Sequence, residues 1–345
     1  MAHRLVTVLT LVLAGIGCSS DDPKPTESGT VSPGPQSVPT EQPSKPAPKP
    51  KVTHVLRHQF KEGETRHLLT TYNVKQVAGG VETPIMIKQY SKWTTEEVLE
   101  DGSGRLSHSV SRVAFRMTSP LGTLKYDSTD DEEPDSPLWA QLKPEMDYRL
   151  KTSYSCVISP TGKVSDLKIS DEFREALKKN LATASTDPVE YLTAETSDYF
   201  IEYPEDPTAP GDTWPSVEMN FSMMGGRITK TGEYKLDPED SSSQRSTLRI
   251  SMTHNVKTEF PEDATFLLNF LPDGTDQIEV ELPSGRLAKR VVKSANEMIF
   301  KMMGVETVIQ RENQMTIVPY VDSAEDSETG SQADPAQQPL PSKTP

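Results

Sequence analysis

Between about Val52 and Tyr320 apolar residues return at every second position, and that period limits the folds open to this chain. Leu68, Thr70, Tyr72 and Val74 alternate with polar partners. So do Val113, Phe115 and Met117; Met219, Phe221 and Met223; Leu248, Ile250 and Met252; Ile278, Val280 and Leu282; and Met298, Phe300 and Met302. Successive side chains of an extended chain point to opposite faces, so each run has one face for a core and one for water. Half-buried antiparallel strands follow. Turn chemistry separates them at Gly79-Gly80, Asp101-Gly102-Ser103-Gly104, Gly225-Gly226 and Asp273-Gly274.

Helical patterning is scarce. Ser170 is placed to cap a helix over Asp171 to Leu181, with Asp171 and Glu172 in its first turn and Phe173, Leu177 and Leu181 on one face. A shorter helix over Ser136 to Glu145 would lay Leu138, Trp139 and Leu142 on the sheet. Pro144 is expected to end it early, because proline removes a helix hydrogen bond and clashes with the preceding turn. The predicted class is a β-rich α+β fold, with curved antiparallel sheets and one or two short helices packed on them.

Two short motifs occur twice. Gly63-Glu64-Thr65 is echoed by Gly211-Asp212-Thr213, each opening a strand-like run. Ser159-Pro160-Thr161-Gly162-Lys163-Val164 is echoed by Leu282-Pro283-Ser284-Gly285-Arg286-Leu287, each between two such runs. The pairs outline a duplication in which 52–185 and 205–320 are two related half-barrel-like halves of one β-rich region, 52–320. The competing account is that both motifs are common turn chemistry.

The ends of the chain are of another kind. Arg4 precedes a mostly apolar run from Leu5 to Ile16, followed by Gly17 and Cys18. That is the layout of a secretory signal, and the run is shorter than the roughly 20 residues a membrane-spanning helix needs. A cysteine at this point suggests a bacterial lipoprotein: 1–17 is then the signal peptide, and Cys18 is acylated and anchors the chain to a membrane. Ser19 after it favours the outer membrane. Ordinary cleavage after Gly15-Ile16-Gly17 is the other reading, and it would release a soluble chain. Residues 18–51 carry nine prolines and almost nothing apolar, with four lysines against two Asp and two Glu. Such a segment buries no core and is expected to act as a disordered, semi-stiff tether. The stretch 321–345 is polar, acidic and Pro-rich, and is expected to be a disordered tail.

Composition narrows the partners. With 51 Asp and Glu against 36 Lys and Arg, the formal charge is -15. Nucleic acid is excluded as a partner, because its recognition needs clustered Lys and Arg. There are two cysteines, so with Cys18 lipidated Cys156 has no partner in the chain; its apolar neighbours mark it as a small buried hydrophobe. His54 and His58 lie in no His-Glu-x-x-His or paired-Cys pattern, and no metal site or cofactor is expected. Asp127, Asp130, Asp131, Glu132, Glu133 and Asp135 do not match a regular calcium loop and read as a solvated acidic loop. No Gly-x-Ser-x-Gly elbow, Ser-x-x-Lys pair or phosphate loop is present, so no catalytic residue is assigned and an enzyme is not expected.

One pattern points to a ligand. Met117, Met219, Met223, Met252, Met298 and Met302 all fall on the inward parity of strands. Methionine adapts to irregular apolar partners, so a half-barrel lined this way could cup a lipid or another apolar molecule; core filling is the plainer role.

The segments Leu56-Arg57-His58-Gln59-Phe60-Lys61-Glu62-Gly63-Glu64-Thr65, Tyr126-Asp127-Ser128 with its acidic tail, the Ser159 to Val164 motif and Pro210-Gly211-Asp212-Thr213-Trp214 resemble an uncharacterised family of bacterial secreted lipoproteins, a domain of unknown function. The resemblance spans about Val52 to Tyr320 and implies a β-rich extracytoplasmic domain with no assigned activity or site. More loosely, the pattern is similar to half-barrel carriers of lipids and lipoproteins in the cell envelope. The functional expectation is a membrane-anchored, non-catalytic binding or structural module facing the periplasm or exterior. Its partner is an apolar ligand or an envelope protein; a hydrolase-type enzyme is the remaining alternative.

Overall fold

The alternation becomes strands. In β1 (Thr65–Ala78) Leu68, Thr70, Tyr72 and Val74 are buried and the residues between them are not. The structure, a computed structural model, describes residues 52–120, 122–171, 173–175, 187–216, 218–223, 226–238, 246–262, 264–271, 274–302 and 305–321. After β1 come β2 (Val81–Val98), β3 (Gly104–Ser119), β4 (Gly122–Asp127), α1 (Pro137–Leu150), β5 (Ser153–Ile158), β6 (Val164–Ile169) and α2 (Pro188–Ser197). The second half holds β7 (Thr213–Pro215), β8 (Met219–Met223), β9 (Gly226–Leu236), β10 (Thr247–Glu259), β11 (Phe266–Phe270), β12 (Thr275–Glu281), β13 (Arg286–Met302) and β14 (Val305–Pro319).

The expected β-rich α+β fold is what forms, and the strands make one sheet rather than several. It is antiparallel and fourteen-stranded, ordered β6-β5-β3-β2-β1-β14-β13-β12-β10-β9-β7, with β4 on β3, β8 on β9 and β11 on β13. Each half contributes the same meander: β1-β2-β3-β5-β6 in the first, and β7-β9-β10-β12-β13 in the second. The doubled motifs take equivalent places in it. Gly63-Glu64-Thr65 opens β1 and Gly211-Asp212-Thr213 opens β7, while the two Pro-x-Gly-basic turns join β5 to β6 and β12 to β13. β14 lies between the two meanders, pairing with β1 on one side and β13 on the other.

The main core gathers the inward faces of both meanders with Trp139, Leu142 and Met146 of α1 and Leu192 of α2. A smaller one, of Ile228, Phe266, Leu268, Met298 and Ile309, is built on β9, β11, β13 and β14. Helix α1 starts as predicted, with Ser136 Oγ accepting from Leu138 N at 3.2 Å and Pro137 beginning the first turn. It does not end at Pro144 but runs on to Leu150. Continuing buries Met146 and Tyr148 and brings Arg149 to 2.9 Å from Glu145, which offsets the roughly 3 kcal/mol a proline costs inside a helix. Ser170 caps Phe173 at 3.1 Å, and the Phe173 ring stacks on Tyr148. Leu177 and Leu181 of that expected helix lie outside the described residues.

After α2 the chain passes through the interior instead of over the surface. Tyr199, Phe200, Ile201 and Tyr203 are all buried. A buried connection must satisfy its backbone without water, and here side chains from both halves do so. Arg290 donates to Asp198 O at 2.9 Å, His58 Nε2 to Ile201 O at 2.9 Å, Trp214 to Glu202 O at 2.9 Å and Arg57 to Pro204 O at 2.7 Å. The two repeated turns grip the same place. Tyr203 N donates to Thr161 O at 2.6 Å, and Tyr203 OH donates to Gly285 O at 2.8 Å. Gly162 comes so close that a Cβ there would lie 2.0 Å from Ile201 O, and one on Gly285 would lie 2.2 Å from Arg57 O. Both turns require glycine for that approach.

Candidate functional site

The sheet has two ends, and they define the site. Among the described residues β6 pairs only with β5, while β7 and β8 pair only with β9. Helix α2 lies against both β6 and β8, bridging the ends. Between them is a cavity of about 600 Å³. Its walls are Val164 from β6, Val189, Thr193, Ala194 and Ser197 from α2, and Met219 from β8. Phe200, Tyr234, Met252, Asp198, Lys230 and Arg290 line its buried part.

Local chemistry fixes the helical wall. Asp187 caps α2, its Oδ1 accepting from Val189 N at 2.6 Å and Glu190 N at 3.3 Å, with Pro188 as the first helical residue. One face turns to the core: Leu192 is fully buried, and Thr196 Oγ1 is 2.9 Å from Tyr154 OH. The other face lines the cavity, where Ser197 Oγ donates to Ala194 O at 2.7 Å and lies 3.6 Å from Met219 Sδ.

The floor is ionic. Arg290 grips Asp276 with two bonds, Nε to Oδ1 at 3.1 Å and Nη2 to Oδ2 at 2.7 Å, and reaches Asp198 Oδ1 at 3.0 Å. His254 Nε2 donates to Asp276 Oδ2 at 3.1 Å. Burial opposes ionisation of Asp276, but the Arg290 charge and the His254 bond outweigh it and hold the carboxyl well below the usual range. Burial pushes His254 down to about 4, so the ring is neutral near pH 7 and its bonded Nε2 carries the proton. Desolvation raises Asp198, opposed by Arg290 and Lys230. Among the described residues His254 Nδ1 has no hydrogen-bond partner.

A second polar group sits on the inner side of α2. Arg149 lies 2.9 Å from Glu145 and donates to Gln89 Oε1 at 3.1 Å. Glu195 of α2 feels the same guanidinium, so two carboxylates share one cation. Desolvation pushes Glu195 up to about 7 and Glu145 up to about 6, with Arg149 opposing in both cases.

The methionines do not act as a set. Met219 and Met252 line the cavity. Met117 is in the main core and Met298 in the small one, where they fill space. The side chains of Met223 and Met302, and the whole of the segment holding Cys18, lie outside what is described. Cys156 is buried, and desolvation pushes its thiol up to about 12. In the acidic loop Asp127 takes a paired bond from Arg112 and caps Thr129, and Glu133 holds Lys143 and Trp139. Among the described residues no three His, Cys, Asp or Glu side chains converge to hold a metal, and no helix is long and apolar enough to cross a membrane.

Sequence reasoning missed α2 and the ionic floor, although both left signals. Asp187-Pro188 followed by Glu190 is a helix start. Lys230, His254, Asp276 and Arg290 each occupy an inward position of a strand, where the alternation calls for an apolar residue.

No protein-family model matches the chain, and no curated protein matches it. Among solved structures it is similar to DynF of the dynemicin biosynthesis pathway of Micromonospora chersina, at 8% identity and a TM-score of 0.22, covering 83% of this chain and 95% of that one. An outer membrane channel from Pseudomonas putida F1 follows at 7% and 0.23, covering 76% and 97%, and OccK11 of Pseudomonas aeruginosa at 7% and 0.18, covering 77% and 100%. Similarity this low carries no argument about function.

Proposed function

We propose that this protein is a membrane-anchored extracytoplasmic lipoprotein that binds a small amphipathic ligand in the seam cavity and does no chemistry on it. The cavity itself carries the reading: about 600 Å³ falls within the range of small-molecule sites, with apolar walls and a few converging polar groups. Val164, Val189, Ala194, Met219 and Met252 supply the apolar contact, and Arg290 with its carboxylates fixes the polar end. The Arg4 to Cys18 pattern and the Pro-rich stretch after it support anchoring at Cys18, and the shared strand order of the halves supports a duplication.

The test is native mass spectrometry of the full chain carrying Cys18→Ser, purified without detergent. A bound small molecule is expected, and Ala194→Trp, which fills the cavity from α2, should lose it. A chain that stays empty after incubation with an envelope lipid extract refutes the binding role. Anchoring is tested separately, by acyl mass on the mature N-terminus that Cys18→Ala abolishes.

A further inference from the structure

The charges of the cavity floor decide which head group the ligand carries, given the binding role proposed above. Arg290 is 2% exposed, and its guanidinium is already taken by two carboxylates, Asp276 at 3.1 and 2.7 Å and Asp198 at 3.0 Å. Lys230, 4% exposed, is the other buried cation of the lining. With it the described floor charges balance, two of each sign, and His254 is neutral. Nearer the mouth Glu190, Glu202 and Glu218 outnumber Lys163. An anionic head would add an uncompensated negative charge where burial already disfavours the ionised form of Asp198. A cationic head driven to the floor would meet Arg290 and Lys230.

Size and depth complete the description. A cavity of about 600 Å³ is on the scale of a small-molecule site and accommodates one alkyl chain with a small head. Its buried part holds the charged side chains of Asp198, Lys230 and Arg290 beside Phe200, Tyr234 and Met252, while Val189, Ala194 and Met219 are only half-buried. The polar end of the ligand therefore lies innermost.

We propose that the cavity selects a single-chain amphiphile with a net-neutral head, entering head first, and disfavours a carboxylate on the same chain. Isothermal titration of the full chain carrying Cys18→Ser, free of detergent and at about pH 8, would compare monododecanoylglycerol, dodecanoate and dodecyltrimethylammonium below their micellar concentrations. The glyceride is expected to bind about tenfold or more tightly than either charged probe. Asp198→Asn removes one negative charge from the floor and should narrow the gap between glyceride and dodecanoate by about as much. Dodecanoate or the ammonium binding as tightly as the glyceride overturns the head-group assignment while leaving a binding cavity in place. A gap that Asp198→Asn leaves unchanged overturns the role of the floor. Failure of all three probes to bind refutes the cavity's binding role itself.

Discussion

Glu195→Gln tests whether α2 is buried against a charge-short cluster. Glu195 and Glu145 face Arg149 as their one cation, with Gln89 beside them and Tyr72, Tyr148, Tyr154, Tyr191 and Tyr199 close enough to feel the charge. Desolvation takes the Glu195 pKa from an ordinary 4.5 to about 7. A raised carboxyl binds its proton more tightly in the folded than in the unfolded chain. Folding stability therefore falls as pH rises from about 4.5 to about 7, and the loss is complete above that window. At about 1.4 kcal/mol per unit, the ionised side chain costs roughly 3 kcal/mol at pH 8. Glutamine keeps the shape, carries no charge and leaves Arg149 balanced by Glu145 alone. Urea unfolding of the full chain across pH 5 to 8.5 should show the variant and the wild type level at the acid end. The variant should then pull ahead to roughly 3 kcal/mol at the alkaline end. Parallel curves would refute the reasoning, because they would mean an ordinary pKa and a hydrated inner face of α2. A variant level with the wild type at the acid end but weaker at the alkaline end would mean that the Glu195–Arg149 attraction exceeds the cost of burial.

Three further outcomes follow from the same physics. Arg290→Met leaves Asp276 buried without its cation and should cost about 3 to 5 kcal/mol in urea unfolding at pH 7. It should also flatten the acid limb, because the depressed Asp276 carboxyl contributes stability above its ordinary pKa that is lost as pH falls through it. Gly162→Ala forces a side chain into the carbonyl of Ile201 at a φ of +93°, and should lower the thermal midpoint far more than Gly122→Ala, where the added carbon meets nothing. Cys156 should resist a thiol reagent at pH 8 in the native chain and react once urea unfolds it.

Much of the fold was legible because strands write their burial directly into the sequence. Leu68 to Val74 and Leu248 to Met252 are as buried as their alternation says. Helices were less legible where packing outweighs local rules. Pro144 looks like a stop, but burial of Met146 and Tyr148 carries the helix past it. α2 is short and rich in threonine, so its pattern is weak and only its cap announces it. The cavity was not legible, because it exists where the two ends of the sheet meet α2, and no local period encodes that meeting. Met252 and Met298 are both buried core residues on inward parity, but only Met252 also borders the cavity. The ionic floor shows the reverse: His254, Asp276 and Arg290 stand as polar residues on apolar strand parity, but only the fold brings them together with Asp198 at the end of α2.

The place of β14 bears on how such a chain is made. β1 finishes one side of its pairing with β2 as soon as residue 94 has emerged, whereas its other partner is β14, paired from Leu68 with Pro319 to Ala78 with Ile309. Until β14 has been made, the far edge of β1 offers fourteen residues of unpaired, half-apolar backbone to any neighbour. Contacts this distant in sequence form slowly. A chain cut short before residue 305 would keep both meanders and lose the strand that joins them, leaving β1 and β13 as two long sticky edges on one molecule.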